Sequence, residues 1–305
     1  MIRITGVSKS FGNLKAVNNI SLSIGEKEFY GLLGPNGAGK STTMNLLIGY
    51  LNADSGKIEV NGKTVSKASV DFRKSIGYVP QSIALYDELT PVENLTIFGR
   101  LYDLPAKQLK YSIAQKLEAV QLFDRKNDPV KNFSGGMKRR LNLVASLLHD
   151  PQVILCDEPT VGVDPQSRNA IFEYLLELNA AGKTIIYTTH YMEEAERLCS
   201  NISIIDAGQI IAGGTVDDLL KLLPYDETIF ISKSAKSESI VENLKEFGDV
   251  HVNTDRLEVK PTAGKAISAL FSILEQAGIS YRDIELHKPT LEALFLHLTG
   301  KKLRD

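Results

Sequence analysis

The run Gly34-Pro-Asn-Gly-Ala-Gly-Lys-Ser41 limits the possible folds of this chain more than any other stretch. It satisfies the spacing GxxxxGK[ST] without a mismatch, follows the apolar run Phe29–Leu33, and precedes apolar residues at helical spacing from Met44 to Leu51. A glycine-rich turn that merely begins a helix would explain the glycines but not the Lys40-Ser41 pair. The pattern predicts a strand, a phosphate-binding loop and a helix in succession.

We call Gly34–Ser41 the phosphate loop, because its residue types suit the phosphates of a nucleoside triphosphate. Glycines let consecutive backbone N–H groups converge on phosphate oxygens, and the N-terminus of the following helix adds a positive dipole. Lys40 is expected to reach the β and γ phosphates, and the Ser41 hydroxyl to ligate Mg²⁺. The residues expected to hold the nucleotide here are Gly34, Pro35, Asn36, Gly37, Ala38, Gly39, Lys40, Ser41 and Thr42.

A second short apolar run, Val153 to Cys156, ends in the carboxylate pair Asp157-Glu158. Ligands of parallel sheets bind beyond the carboxyl ends of the strands, where this pair is expected to lie. Asp157 would hold Mg²⁺ directly or through water, and Glu158 would polarise the water that attacks the γ-phosphate. An acidic pair after a strand is more often the start of a solvated loop, so the pair gains this meaning from the phosphate loop.

The rest of the chain alternates in the same way. Short β-like segments at Ile2–Ile4, Ile20–Ile24 and Lys57–Val60 predict an antiparallel edge. Strands Thr184–Thr188 and Ile202–Asp206 continue the strand and helix alternation that predicts a mostly parallel sheet. A further helix is expected to begin at Pro165, with Asp164 as its N-cap and Gly182 at its end.

Two regions depart from this alternation. Helical periodicity without strand signals predicts an inserted helical subdomain at about residues 82–150. After about residue 220 the pattern predicts a small α+β domain, 221–305, of the ferredoxin-like kind. Its expected elements are a strand Thr228–Ser232, a helix Ser237–Phe247, a hairpin Val250–Val259, a helix Gly264–Ala277 and a final strand and helix.

Composition excludes several classes of function. The 35 Lys and Arg residues are balanced by 37 Asp and Glu residues, which disfavours a nucleic-acid partner. Two cysteines outside any paired motif fit a reducing compartment. No stretch approaches the roughly 18 consecutive apolar residues that cross a bilayer, so a membrane role would require a partner. We therefore expect a cytoplasmic protein.

The stretch Asn132-Phe-Ser-Gly-Gly-Met137, here called the signature loop, resembles the LSGGQ signature of the ABC ATPases. Ser134, Gly135 and Gly136 at a helix N-terminus suit a γ-phosphate, although alone they would be an ordinary helix start. In that family the phosphate belongs to ATP bound by the other protomer. The resemblance therefore implies that two chains enclose two ATP molecules with their Mg²⁺.

Further positions follow the order of that family over roughly residues 1–220. Gln81 resembles the glutamine that binds Mg²⁺ and water and reports the nucleotide state to a membrane subunit. His190, after Thr188-Thr189, resembles the histidine that orients water at the γ-phosphate. The resemblance thus implies Glu158, His190 and Gln81 as catalytic residues and Ser41, Gln81 and Asp157 as metal ligands.

Two more positions match and three depart. Asp164 occupies the D-loop place, where it can cap its helix and contact the opposite protomer. Phe11 stands where the family usually has a tyrosine stacked on adenine, although it could equally be a core aromatic residue. The three residues that differ from the usual family residues are Phe133, Met137 and Val161.

The stretches Glu158–Arg168, Thr189–Glu196 and Pro289–Thr299 resemble a subfamily of ABC exporters for drugs, lipids, polysaccharides or sodium. This implies an α/β fold with a P-loop NTPase core of the RecA-like kind, in an ABC ATPase domain at residues 1–220. It also implies an ATPase that pairs with itself or a related ABC subunit and drives a separate membrane permease from the cytoplasmic face. Ser82–Leu104 is expected to contact the permease, although core packing would also explain its apolar residues.

Two other functions remain as alternatives. One is a non-transport ABC ATPase that acts on DNA or ribosomes, which the neutral charge and the lack of coiled-coil or zinc-binding insertions disfavour. The other is a regulatory module that binds ATP with little hydrolysis, which the intact Glu158 and His190 disfavour.

Overall fold

The computed structural model describes residues 1–65, 70–262, 264 and 267–300, and it divides into two compact units. The first unit is Met1–Gly213, and the second begins at Gly214. Each unit contains a buried apolar cluster of its own. Within the described ranges, no helix has both the length and the apolar character needed to span a membrane.

The first unit alternates strands and helices. Its strands are β1 (Ile2–Phe11), β2 (Leu14–Ile24), β3 (Phe29–Leu33), β4 (Ser55–Val60), β5 (Lys63–Thr64), β6 (Ile76–Val79), β7 (Val153–Asp157), β8 (Thr184–Thr189), β9 (Asn201–Asp206) and β10 (Gln209–Gly214). Its helices are α1 (Lys40–Leu47), α2 (Val70–Lys74), α3 (Pro91–Leu101), α4 (Ala106–Ala119), α5 (Gly135–Ala145), α6 (Pro165–Ala180) and α7 (Met192–Leu198). Short 3₁₀ helices lie at Phe123–Arg125 and Val130–Asn132.

The central sheet has the strand order β10-β9-β3-β8-β7-β6. Strand β8 pairs in parallel with both β3 and β7, and every residue of these three strands is buried, as in parallel sheets covered on both faces. Thr189 is in register with Leu33, and Thr188 with Asp157. The loops that leave β3, β7 and β8 therefore start at the same edge of the sheet.

A second, antiparallel sheet has the order β2-β1-β4-β5. Ile2 and Ile4 of β1 are buried while Arg3 between them is exposed, the alternation of a strand with one face in the core. Met44 and Leu47 of α1 belong to the same apolar cluster. This sheet therefore packs with the helix that follows the phosphate loop.

The prediction of a helical subdomain inserted into the sheet domain is confirmed. Helices α3 to α5 lie between β6 and β7, and the described residues there form no strand. Thr90 and Glu93 form a capping box at the start of α3, and Pro91 occupies its first turn. Leu95 of α3 and Leu117 of α4 are fully buried, so these helices share an apolar interior.

The second unit is α+β. Its elements are α8 (Val216–Leu220), β11 (Thr228–Ser232), α9 (Ala235–Ser239), α10 (Val241–Lys245), β12 (Gly248–Val252), β13 (Arg256–Pro261), α11 (Ile267–Gln276), the 3₁₀ helix Tyr281–Asp283, β14 (Ile284–His287) and α12 (Leu291–Thr299). The strands form an antiparallel sheet of order β12-β13-β11-β14. Leu270 and Leu274 of α11 join Ile229 and Leu257 of the sheet in one apolar cluster.

Some predicted boundaries were wrong for local reasons. Helix α1 ends at Leu47 rather than Leu51, because Gly49 adopts a positive φ of 67° that terminates the helix. The predicted helix Ser237–Phe247 is two helices that meet at Ile240. Ser237 and Ser239 donate side-chain hydrogen bonds to backbone carbonyls nearby, which compete with helix continuation.

Two other differences concern extent. Residues 82–90 precede α3 and are not helical, and the four-residue strand β6 was not predicted. The predicted helix Gly264–Ala277 corresponds to α11, and positions 265 and 266 lie outside the described residues. Positions 301–305 of the predicted C-terminal domain also lie outside them.

Adjacent leucines on α6 provide a test of the core of the first unit. Leu175 is 0% exposed and Leu176 is 39% exposed. Leu175→Ala should lower the free energy of unfolding by about 2 to 5 kcal/mol, because it leaves a cavity among buried side chains. Leu176→Ala should lower it by less than about 1 kcal/mol. Urea denaturation measures both, and equal effects would contradict this packing.

Candidate functional site

The backbone of the phosphate loop lies against two other segments at distances that only glycine allows. A Cβ atom on Gly34 would lie 2.1 Å from the carbonyl oxygen of Ile205. One on Gly39 would lie 2.4 Å from the carbonyl oxygen of Ala16, and Gly39 also has a φ of 108°, in the left-handed region. These contacts hold the loop against β2 and β9 at the start of α1.

Lys40, the first residue of α1, is 4% exposed. Its Nζ donates hydrogen bonds to the carbonyl oxygens of Gly34 (2.8 Å) and Pro35 (3.0 Å). The same Nζ lies 2.9 Å from Glu158 Oε1, and Glu158 is also 4% exposed. The lysine therefore connects the phosphate loop with the loop after β7.

Glu158 is the point where the predicted catalytic side chains meet. Its backbone adopts a positive φ of 45°, a strained conformation for a non-glycine residue. Gln81 Nε2 donates a hydrogen bond to Glu158 Oε2 at 3.1 Å. His190 Nδ1 lies 3.3 Å from the same oxygen, within ion-pair distance but without the direction of a hydrogen bond. One buried carboxylate thus contacts Lys40, Gln81 and His190.

Asp157 occupies a separate, hydroxyl-rich position. Its Oδ1 accepts hydrogen bonds from Ser41 (3.1 Å) and Thr188 (2.7 Å), and Tyr78 donates a long one, 3.5 Å, to Oδ2. Burial raises the pKa of the Asp157 carboxyl above its ordinary value, although the hydrogen bonds from Thr188 and Ser41 act in the opposite direction. A cation beside Asp157 would offset this cost of burial.

The oxygen atoms around Asp157 are suitable ligands for Mg²⁺. Ser41 and Asp157 supply adjacent oxygens, and Gln81 keeps its amide oxygen available because its nitrogen binds Glu158. In the described part of the chain there is no cluster of three or more His, Cys, Asp and Glu side chains that could hold a metal ion. Mg²⁺ suits such a sparse site, since it is typically held by few protein ligands plus substrate phosphates.

A cavity of about 430 Å³ adjoins these residues. Most of its lining was predicted, and Phe11, which is 47% exposed, contributes to it. The lining residues are Phe11, Leu14, Lys15, Ala16, Asn36, Gly37, Gly39, Lys40, Ser41, Thr42, Gln81, Glu158 and Ala207. The volume is in the range typical of small-molecule sites.

The remaining predicted loop residues have structural roles. The buried Ala38 donates its backbone N–H to the carbonyl oxygen of Pro35, which tightens the turn. Sequence reasoning missed Leu14, Lys15 and Ala16 of β2 and Ala207 beyond β9. The β segment predicted at Ile20–Ile24 is the second half of β2, and the signal for its first residues is the short hairpin link to Phe11, since β1 ends at Phe11 and β2 begins at Leu14.

The signature loop does not line this cavity. Ser134 caps α5 by accepting a hydrogen bond from the Met137 backbone N–H, and Ser134 and Gly135 are exposed. A Cβ atom on Gly136 would lie 2.2 Å from Ser167 Oγ and 2.7 Å from Asp164 Oδ2. The structure therefore brings the signature loop together with Asp164, and it leaves both outside the cavity formed by the phosphate loop.

Arg139, which sequence reasoning did not select, connects two of the predicted loops. Its guanidinium donates to the carbonyl oxygen of Gln81 and, at 3.4 Å, to that of Val161. Nearby, Asn142 Oδ1 accepts a hydrogen bond from the Ala84 backbone N–H at 3.0 Å. Helix α5 thus holds the backbone around Gln81. The sequence signal that could have identified Arg139 is the basic run Lys138-Arg139-Arg140, which directly follows the signature loop.

Comparison with protein families and curated proteins gives one consistent answer. Residues 17–161 match the family model described as ABC transporter. The chain is 43% identical to linearmycin resistance ATP-binding protein LnrL of Bacillus subtilis, over 100% of both chains. It is 38% identical to a daunorubicin resistance ATP-binding protein of Streptomyces coeruleorubidus (99% of this chain, 97% of the relative). It is 39% identical to Nod factor export ATP-binding protein I of a Rhizobium species (99% and 98%).

Solved structures agree with these relatives. An ATP-binding subunit of an ABC transporter has a TM-score of 0.67 at 30% identity, covering 73% of this chain and 92% of that one. A dimeric ATP-binding cassette in a post-hydrolysis state, bound to ADP and Pi, has a TM-score of 0.64 at 26% identity (70% and 98%). The chain therefore resembles these relatives in its three-dimensional fold, that of an ATP-binding cassette, as well as in its sequence.

The two glycines of the signature loop should differ in how well they tolerate substitution by alanine. Gly136→Ala should lower the free energy of unfolding by about 1 to 3 kcal/mol, because the added Cβ must displace Ser167 and the Asp164 cap of α6. Gly135→Ala should leave stability nearly unchanged, since among the described residues no atom outside its chain neighbours and its own helix backbone lies within 4 Å of its added Cβ. Thermal unfolding of both variants measures the difference, and a fully stable Gly136→Ala protein would contradict this packing.

Proposed function

Because the chain belongs to the ABC transporter family as an ATP-binding subunit of the exporter type, we propose that two copies close around two Mg-ATP and drive a membrane permease. The observation that carries this proposal is the convergence of Lys40, Gln81 and His190 on the buried Glu158 carboxylate. Phosphoryl transfer requires a positioned water and stabilised charge rather than covalent chemistry. This cluster contains the residue types for both.

Lys40 has two alternative anionic partners in this mechanism. Its Nζ lies 2.9 Å from Glu158 Oε1, and a γ-phosphate at the phosphate loop would compete for the same ammonium group. Transfer of Lys40 to the phosphate releases Glu158, which then orients and polarises the attacking water as a general base. Gln81 and His190, which already lie at the other oxygen of Glu158, hold that water in line.

The side chains around the cavity also support our proposal that the cofactors are ATP and Mg²⁺. Ser41, Asp157 and Gln81 would hold Mg²⁺, which when bound supplies positive charge to the β and γ phosphate oxygens. Phe11, at the rim of the cavity, would stack its exposed ring on the adenine. The backbone amides of the phosphate loop, residues 34–42, would bind the phosphates at the N-terminus of α1.

The second half of each site comes from another chain in this proposal. Ser134 and Gly135 form an exposed helix start outside the cavity, followed by the buried Gly136, and the three residues suit the γ-phosphate bound by a facing protomer. Asp164, beside Gly136, would contact the same partner. The partner is a second copy of this chain or a related ABC subunit, and one solved relative is a dimeric cassette.

The membrane partner would be an integral permease, which places this subunit on the cytoplasmic face. Ser82–Leu104 follows Gln81 and includes the exposed Ile83 and Tyr86, while Leu95 is buried in the core. We therefore propose that the exposed residues of this segment contact the permease, and that its buried apolar residues do not. The relatives are named for resistance to linearmycin or daunorubicin and for Nod factor export, so we place the cargo among small molecules moved outward.

We also propose the domain limits 1–220 and 221–305, with the helical subdomain at about 82–150. The division into compact units at Gly213 and Gly214 supports a boundary in this region. The near balance of 35 basic and 37 acidic residues argues against a nucleic-acid partner.

Glu158→Gln tests the hydrolytic mechanism. It should lower kcat by about 10² to 10⁴, the usual contribution of a general base, because an amide cannot take the proton of water. ATP affinity should persist, and Mg-ATP should shift the variant from monomer to dimer in sedimentation experiments. Glu193→Gln, an exposed carboxylate on α7, is the control and should keep normal turnover. Normal turnover in Glu158→Gln would refute the assignment.

A further inference from the structure

A second carboxylate, which the proposed mechanism does not use, is buried behind the hydrolysis site. Glu194 of α7 is 3% exposed. Its nearest cationic group among the described residues is Arg168 Nε, 3.7 Å from Oε1 and not in hydrogen-bond geometry. Burying a carboxylate with such a weak ion pair costs free energy unless hydrogen bonds compensate. The compensating donors therefore indicate what this residue holds in place.

Three hydroxyl groups donate to this carboxylate, two from β8 and one from the loop after β7. Thr160 Oγ1 donates to Oε1 at 2.8 Å, Tyr187 OH donates to Oε2 at 3.0 Å, and Thr189 Oγ1 donates to Oε2 at 2.7 Å. Thr160 Oγ1 and Tyr187 OH also lie 3.1 Å apart. Burial, followed by the Glu194 charge, raises the pKa of the Tyr187 hydroxyl, which therefore stays a donor.

Two of these donors flank the proposed catalytic residues in sequence. Thr189 immediately precedes His190, and Thr189 Oγ1 accepts a hydrogen bond from the Tyr191 backbone N–H at 2.9 Å. The backbone on both sides of His190 is thus tied to Glu194. Thr160 lies two residues after Glu158, and its carbonyl oxygen accepts the backbone N–H of Val163 in the next turn. Glu194 therefore contacts both loops whose side chains meet at Glu158 Oε2.

We propose that Glu194 is a positioning residue for ATP hydrolysis, which holds the His190 and Glu158 loops in mutual register through Thr189 and Thr160. The proposal rests on the catalytic roles proposed above for Glu158 and His190. Glu194 contacts neither of these side chains directly, so it acts through the two threonines. A displacement of about 1 Å in such a geometry is enough to reduce turnover about 100-fold.

The same contacts predict which substitutions are tolerated. Glu194→Gln can preserve the network: its amide nitrogen donates to Thr160 Oγ1, Thr160 donates to Tyr187, and the amide oxygen accepts from Tyr187 and Thr189. Glu194→Ala removes the acceptor and leaves buried hydroxyls without a partner. Thr189→Val keeps the shape of the side chain but removes both the link to Glu194 and the bond from Tyr191.

Steady-state ATP hydrolysis by the full chain, with thermal unfolding of every variant, tests the proposal. Thr189→Val and Glu194→Ala should lower kcat by about tenfold or more, with KM for ATP changed less than about threefold. Glu194→Gln should keep kcat within about threefold of the original. Ser203→Ala is the matched control, because it removes a buried hydroxyl that bonds Tyr30 away from this site, and it should keep kcat.

A double-mutant cycle separates positioning from general stability. If Glu194 acts through His190, Thr189→Val should lower kcat much less in a His190→Ala background than alone. Fully additive losses, normal kcat in Thr189→Val, or equal losses in Glu194→Gln and Glu194→Ala would overturn the proposal. A His190→Ala protein with normal turnover would instead refute the proposed catalytic role of His190, which is a distinguishable result.

Discussion

The buried ion pair between Lys40 and Glu158 is the interaction on which the rest of the site depends. Both side chains are 4% exposed, and removing either would leave an uncompensated buried charge. The pair requires the loops after β3 and β7 to meet, although β8 lies between these strands. That same β8 ends next to His190, so the sheet order that allows the pair also delivers the histidine. Glycines at positions 34 and 39 allow the close backbone approach that places Lys40 there.

Two of the three departures from the usual family residues, Met137 and Val161, make their contacts through the backbone. Met137 contributes its N–H to the Ser134 cap, which any residue except proline could do. Val161 offers its carbonyl oxygen to Arg139. Phe133 is buried, with the Arg125 guanidinium 5.8 Å from its ring. The local structure around the signature loop and the D-loop therefore tolerates these side chains without losing its hydrogen bonds.

Much of the fold and of the candidate site could be predicted from the sequence. The phosphate loop and the acidic strand are contiguous motifs, and the α/β fold followed from their periodicity and order. The contact partners of Glu194 and Arg139 could not be predicted, because Glu194 reaches Thr160 and Arg139 reaches Gln81 across long stretches of sequence, through a hydroxyl and a carbonyl group that leave no pattern. Strand β6 was too short to produce a signal, and serine side chains divided a helix that looked continuous.

The central claim is that each nucleotide lies between the phosphate loop of one chain and the signature loop of its partner. The most direct measurement is ATP hydrolysis by a mixture of two inactive variants, Lys40→Ala and Ser134→Arg. A mixed dimer would contain one site with Lys40 and Ser134 both intact, on opposite chains, so activity should reappear on mixing. A mixture that stays as inactive as each variant alone, while mixed dimers form, would contradict the shared site.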